Sequence, residues 1–257
     1  MINTTKTKPS GLNRQALRTW GMIFLLAGVA GAFIRNCVLG LGSVSTAELL
    51  QAMQEETATM VYSTLALVLQ AAETCATPIF AFLLVEGFRH TSNFKNYLLR
   101  VLGIAVLAEI PFNLVAYGKV FAMGSRNPVF GLVLCLVALY FFRQYGQKKV
   151  SHVAIKIAVT LAAIVWAELL NIEHGTCCVI LTGVLWVLRE KPRMQVFIGC
   201  LAAICCSVIS LYYMAAPMAF LAIHFYNGEQ GEGNKWVNYL AYPVILLVVA
   251  IVGLVVA

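Results

Sequence analysis

The chain has 257 residues, of which 61% are hydrophobic and only 11% charged, with a net charge of +7. A soluble globular chain carries roughly 25% charged residues, and a soluble fold of this length has too little interior for so much apolar side chain. The apolar runs are long and do not alternate, which excludes the roughly ten-residue strand pattern of a membrane barrel and leaves an all-α, polytopic transmembrane helical bundle.

Residues 1–19 are polar and basic and read as a cytoplasmic N-terminal segment; residues 20–257 read as a single transmembrane domain. The first apolar run lacks a small-residue cleavage site, so it reads as a retained span. A span needs about 20 apolar residues. On that measure about nine are expected, at 20–40, 60–88, 97–117, 128–145, 151–171, 174–189, 194–211, 212–226 and 237–256. The second is long, and Pro78 is expected to divide it. Those at 174–189 and 212–226 are short. Residues 43–58, with Glu48, Glu55 and Glu56, read as a polar loop or an interfacial helix.

Fifteen of the eighteen basic residues fall at alternate ends of these runs, from Lys6, Lys8, Arg14 and Arg18 through Arg89, Arg143 and Arg189 to Lys235. Arg35, Lys119 and Arg126 fall on the other side. The positive-inside rule makes the first side cytoplasmic and the C-terminus external. The bilayer is therefore the first partner, and no stretch mixes basic and aromatic residues as a nucleic-acid face does, so no nucleic acid is expected. Six of the eight cysteines lie within apolar runs and read as small buried hydrophobes, without metal-ligand spacing.

A charge at mid-bilayer costs roughly 2.5–3.5 kcal/mol on insertion scales, so each needs a reason. The chain has no Asp; Glu73, Glu86, Glu109, Glu168, Arg35 and Lys156 lie in or near spans. Lys156 can snorkel to the cytoplasmic face, and Arg35 and Glu168 read as interfacial. Glu86 and His90, four apart, share a helix face beside Arg89, and a histidine next to a carboxylate can act as a general base. The alternative is a polar helix end paired with itself and with headgroups. Glu109 and Asn113 flank Pro111, which reads either as a polar cavity or as a kink filled by packing. Glu173-His174-Gly175 falls in a short outer turn, where solvation is the default, and His224 reads as an interfacial histidine.

Residues 78–116 resemble the TraX family: Pro78 to Asn93, with Glu86-Gly87-Phe88 and His90-Thr91, then Tyr97 to Arg100 and Glu109-Ile-Pro111-Phe-Asn113. The resemblance continues at Asn127-Pro-Val-Phe130, Glu173-His174-Gly175, Tyr226-Asn227-Gly228 and Tyr239-Leu-Ala-Tyr242-Pro243. TraX proteins are multi-span membrane proteins named for conjugal transfer and pilin N-terminal acetylation, similar to a wider group of membrane acyltransferases. The resemblance implies acyl transfer from acetyl-CoA or another acyl-CoA to a membrane-associated peptide or glycan, in a bacterial cytoplasmic membrane. It implies Glu86, His90 and Glu109 as catalytic candidates, and Arg89, Arg100, Asn113, Asn127, Glu173 and His174 as substrate-binding candidates. Two departures stand against it. The family's first-span Asp-His pair is missing from Leu25–Gly31, and Ile245 stands where a histidine usually follows Tyr-Pro. Activity is therefore expected to be weak or lost; the alternative is a non-catalytic membrane subunit binding lipid or a peptide. A cytoplasm-facing tunnel would favour the enzyme, and a closed apolar interior the scaffold. Transport would need paired repeats, and none is present.

Overall fold

A proline inside a helix donates no backbone hydrogen bond, and its ring crowds the carbonyl four residues back. In the computed structural model, which describes residues 11–39, 51, 57–122, 124–146, 149–233 and 235–256, the long second span breaks at Thr74–Cys75, directly upstream of Pro78. The two pieces are α2 (Thr57–Glu73) and α3 (Ala76–Arg89). Together they cover 33 residues, roughly 50 Å of helix, more than the ~30 Å hydrocarbon core accommodates in one straight piece. The Thr74 hydroxyl takes up the break, donating to Ala71 O at 2.7 Å and to Tyr212 O at 3.1 Å.

The other helices are α1 (Arg14–Phe33), α4 (Phe94–Tyr117), α5 (Val129–Gln144), α6 (Val150–Leu169), α7 (Gly175–Val187), α8 (Pro192–Cys205), α9 (Ala219–His224) and α10 (Lys235–Val256). Among the described residues four helical stretches are long and apolar enough to cross a membrane, and five further apolar helical stretches are shorter. The first helix starts at Arg14, earlier than residue 20. Asn13 caps it, accepting from Ala16 N at 2.8 Å, and Arg14 reaches Glu86 at 3.9 Å. It ends in a π turn, Ile34–Val38, from which Asn36 donates to Val115 O and Ala116 O at the end of α4. Where the sequence suggests spans at 194–211 and 212–226, α8 stops at Cys205. Three 3₁₀ turns then carry the chain to the two-turn α9, because Tyr213 is drawn into the core with its hydroxyl 3.1 Å from Thr77 Oγ1. Of the expected polar segment 43–58, residues 43–50 and 52–56 lie outside the described residues, as do Lys6, Lys8 and Lys148, while residues 57 and 58 open α2.

Two helices make the centre. Nearly every residue of α3 from Ala76 to Phe88 is buried, and α7 buries Gly175, Cys177, Cys178, Leu181, Leu185 and Trp186. At 13 residues, α7 is only about 20 Å long. It can be short because α3, α5, α6 and α8 enclose it, so its ends meet protein and not lipid. A second apolar cluster joins Leu25 and Val29 of α1, Ala108 and Phe112 of α4, and Tyr242 and Leu246 of α10. By contrast α6 buries only Ala163 and Ala167, leaving Val153, Ile157, Leu161 and Val165 exposed. Such a surface suits lipid and no aqueous solvent.

The ends alternate as the charge pattern requires. One end gathers Arg14, Glu86, Arg89, Arg189 and Glu190 through ion pairs, with Arg143 stacked 4.6 Å over the Phe88 ring. There the chain before α1 clasps the chain after α9: Leu12 N donates to Phe225 O and Asn227 N to Leu12 O. The opposite end holds Arg35, Arg126, the α6–α7 turn and Glu109.

Candidate functional site

A cavity of about 170 Å³ opens inside the bundle between α1, α2, α3, α4, α5 and α7, with Tyr242 of α10 on its wall. Arg18 and Tyr97 stand at the end nearer the basic face; Met22, Leu25, Phe80 and Leu83 line its apolar middle. At the far end are Glu73, Glu173, His174 and Tyr242. Arg18 and Gly28, which touches Glu73, lie ten positions apart on α1, roughly 15 Å, so the cavity reaches well into the membrane. It is not sealed; its middle is apolar, with Arg18 and Tyr97 at one end and the carboxylate, imidazole and phenol groups at the other.

Each far-end group has a structural reason to be there. Glu73 is the last residue of α2, just before the break that Pro78 imposes. Its carboxylate lies directly against Gly28 of α1, in space that any Cβ would fill. Glu173 and Arg35 are the charged groups that act on it. Arg35 was expected to be merely interfacial; it sits on the π turn and adds a positive charge to this end of the cavity.

Glu173 and His174 belong to the turn between α6 and α7, expected to be solvated. The structure turns them inward instead. The turn is pinned to the α4–α5 loop: Arg126 N donates to Asn171 O at 2.8 Å and Glu173 N to Arg126 O at 3.0 Å. His174 has φ of 58°, the left-handed region that costs a non-glycine residue roughly 1–2 kcal/mol. That strained backbone places the imidazole at the cavity, with its ring 5.5 Å from that of Tyr213. Tyr213 is held in turn by Thr77, another cavity residue.

Glu109 lies one layer out. It accepts from Arg126 at 3.1 Å, from Asn127 Nδ2 at 2.7 Å and from Asn127 N at 3.2 Å. Fully buried Asn127 also donates to Ala105 O at 2.8 Å and accepts from Val129 N at 3.1 Å. So Glu109 and Asn127 fix the loop whose backbone fixes Glu173, and neither lines the cavity. Asn113 is buried and donates to Val120 O at 3.4 Å. Pro111 is packed inside an unbroken α4, so here the kink is filled by packing.

Glu86 and His90 form a separate group at the basic end. The Glu86 carboxylate is 2.9 Å from Arg89, 3.6 Å from His90 and 3.9 Å from Arg14. His90 is largely exposed, and Arg100 is exposed and takes no part in these ion pairs. Of the expected site residues, the cavity thus brings together Glu173 and His174. Glu86, Arg89 and His90 meet away from it, and Glu109 and Asn127 support it from behind. The sequence marks Glu73 only as a charge in or near a span and Arg18 only as a basic residue of the cytoplasmic side, neither as a site residue, and it does not single out Thr77. The available signal for Glu73 was its charge deep in an apolar run.

The fold and this cavity define an integral membrane protein with a largely apolar cavity, polar at its far end, inside a helical bundle. The chain belongs to the TraX family, described as TraX protein, which it matches over residues 50–253, a match that begins after α1. It is also similar to the probable fimbrial assembly protein FimC, serogroup H1, of Dichelobacter nodosus, with 28% identity covering 65% of this chain and 75% of that protein. No solved structure matches it.

Proposed function

We propose that this protein is an acyltransferase of the bacterial cytoplasmic membrane. It would take a short acyl group from cytoplasmic acyl-CoA and pass it to a membrane-associated peptide, of the pilin kind, or to a glycan. The carrying observation is the cavity that leads from Arg18 to a cluster of carboxylate, imidazole and phenol groups. A tunnel of this kind is what acyl transfer needs and a scaffold does not. The similarity to a fimbrial assembly protein is the support for a pilin-like acceptor in this reading.

Size narrows the donor. A cavity of about 150 Å³ holds benzene, so about 170 Å³ holds an acetyl thioester and a few more atoms, and not a long acyl chain. Arg18, with the basic face behind it, suits the phosphates of CoA. At the far end His174 or Glu73 removes the proton of the attacking amine or hydroxyl. Tyr242 offers a donor, and Arg35 a nearby positive charge, to the oxyanion that forms as the acceptor adds to the thioester carbonyl and collapses as the C–S bond breaks. The proton taken from the acceptor returns to the departing CoA thiolate. In this reading the far-end cluster stands in for the first-span Asp-His pair: Glu73 reaches across from α2 to the space that Gly28 leaves open.

The test is transfer of label from radiolabelled acetyl-CoA to membrane peptides and glycans by purified protein in vesicles. Label transfer that needs Glu73 and His174 supports the reading. Acetyl-CoA binding without transfer to any acceptor would leave the non-catalytic subunit as the better account.

A further inference from the structure

Phe82 stands two residues from both Phe80 and Leu84 on α3, and at 3.6 residues per turn it faces away from the central cavity that those two line. On that side a second cavity, of about 160 Å³, opens between α3, the start of α8 and the chain around the end of α9. Phe82, Val196 and Ile223 form an apolar wall, and Arg193 and His224 stand at the exposed rim.

Four observations point to what it takes. Arg14, Arg89 and Arg189 at this end each pair with a glutamate, whereas Arg193 has no carboxylate partner among the described residues. His224 adds a second group able to carry positive charge beside it. The Tyr226 hydroxyl, also at this cavity, is buried and has no hydrogen-bond partner. Finally α8 begins here with Pro192 in its first turn and no acidic residue there, so within the helix nothing offsets its positive dipole end, and Glu190 just before it is paired with Arg89 and Arg189. These groups share one preference, a compact anion with several acceptor oxygens, and the wall beneath them prefers hydrocarbon.

We propose that this cavity is a phosphate-binding site at the cytoplasmic membrane boundary, in which Arg193, His224 and Tyr226 hold the phosphate and Phe82, Val196 and Ile223 hold an attached glycerol or chain. The site is separate from the acyl-transfer chamber and does not depend on that reading. The phosphate has two possible sources, an anionic phospholipid of the inner leaflet or a soluble phosphate.

The test uses the full chain in neutral detergent, with lipid retention followed by native mass spectrometry. Phosphatidylglycerol should be retained at about one per chain, and diacylglycerol, which lacks the phosphate, should not. Arg193→Gln with His224→Gln should weaken retention at least about tenfold, as expected for losing charge-assisted hydrogen bonds. Tyr226→Phe should weaken it several-fold while leaving the unfolding temperature without lipid unchanged, because the hydroxyl has no internal bond to lose. Displacement by millimolar inorganic phosphate assigns the site to a soluble phosphate; resistance to it assigns the site to the lipid. Equal retention of the two lipids, or unchanged retention in both the double variant and Tyr226→Phe, overturns the proposal.

Discussion

The Glu73 carboxylate lies so close to Gly28 that a Cβ on α1 at that point would overlap its Oε2, Cδ and Cγ. Two opposing effects therefore meet in Gly28→Ala. Alanine is favoured over glycine inside a helix by roughly 0.8–1.0 kcal/mol, while forcing a methyl into filled space costs about 1–3 kcal/mol. With Glu73 present, Gly28→Ala should lower stability modestly. In a Glu73→Ala background it should be neutral or stabilising. Thermal unfolding in detergent over the four proteins of the cycle should give a coupling of about 1–3 kcal/mol, and simple additivity would disprove the contact.

The ion pairs among Arg14, Glu86, Arg89 and Glu190 mark one end of the bundle, and the Arg126–Glu109 pair marks the other. The positive-inside rule puts the first end in the cytoplasm. Single cysteines introduced at Glu190 and Lys119, in a background lacking the native thiols, should react with an impermeant reagent from opposite sides of sealed vesicles. Glu190 should label from the cytoplasmic side. Labelling of both from one side would contradict the topology.

Glu86 is nearly buried yet faces two arginines and a histidine. Only Arg14 among its partners is comparably buried, Arg89 and His90 being solvent-screened, so removing the Glu86 charge should cost about 1–3 kcal/mol, less than a fully buried pair would. Glu86→Gln should therefore cut thermal stability, and adding Arg14→Gln should recover part of the loss. If Glu86→Gln left unfolding unchanged while abolishing activity, the cluster would have a chemical role and not a structural one.

The apolar runs were legible because lipid demands about 20 consecutive apolar residues wherever the chain crosses, and the break upstream of Pro78 follows from proline chemistry alone. The stretch 206–218 was not legible: its 3₁₀ turns come from Tyr213 reaching Thr77, a partner 136 positions away. The site divides the same way. The spacing of Glu86 and His90 displays a pair on one helix, and the structure does bring them within 3.6 Å. Glu73 has no such partner within its own helix. It meets Gly28 from another helix, and that glycine is informative only once the two are seen to touch. Glu173 and His174 could be named from their motif, but their inward direction depends on hydrogen bonds to Arg126 and on the left-handed backbone of His174.

The last prediction separates the two histidines. The sequence favours His90 as base because it stands one turn from Glu86, yet His90 is exposed at the basic end and does not line the cavity. His174 lines it, beside Glu73, Glu173 and Tyr242. General acid–base catalysis contributes typically 10²–10⁴-fold, or roughly 3–5 kcal/mol of barrier. His174→Gln and Glu73→Gln should therefore each lower acetyl transfer by about 10²-fold or more. Acetyl-CoA binding, which the proposed reading assigns to Arg18 and the apolar middle of the cavity, should change little. His90→Ala should leave turnover nearly intact, since its loss removes no group from the reaction centre. Initial rates of label transfer, with equilibrium binding of acetyl-CoA measured on the same preparations, decide between them. A His90→Ala protein that binds acetyl-CoA normally and has lost turnover, beside a His174→Gln protein that keeps it, would place the chemistry at the basic end and not in the chamber.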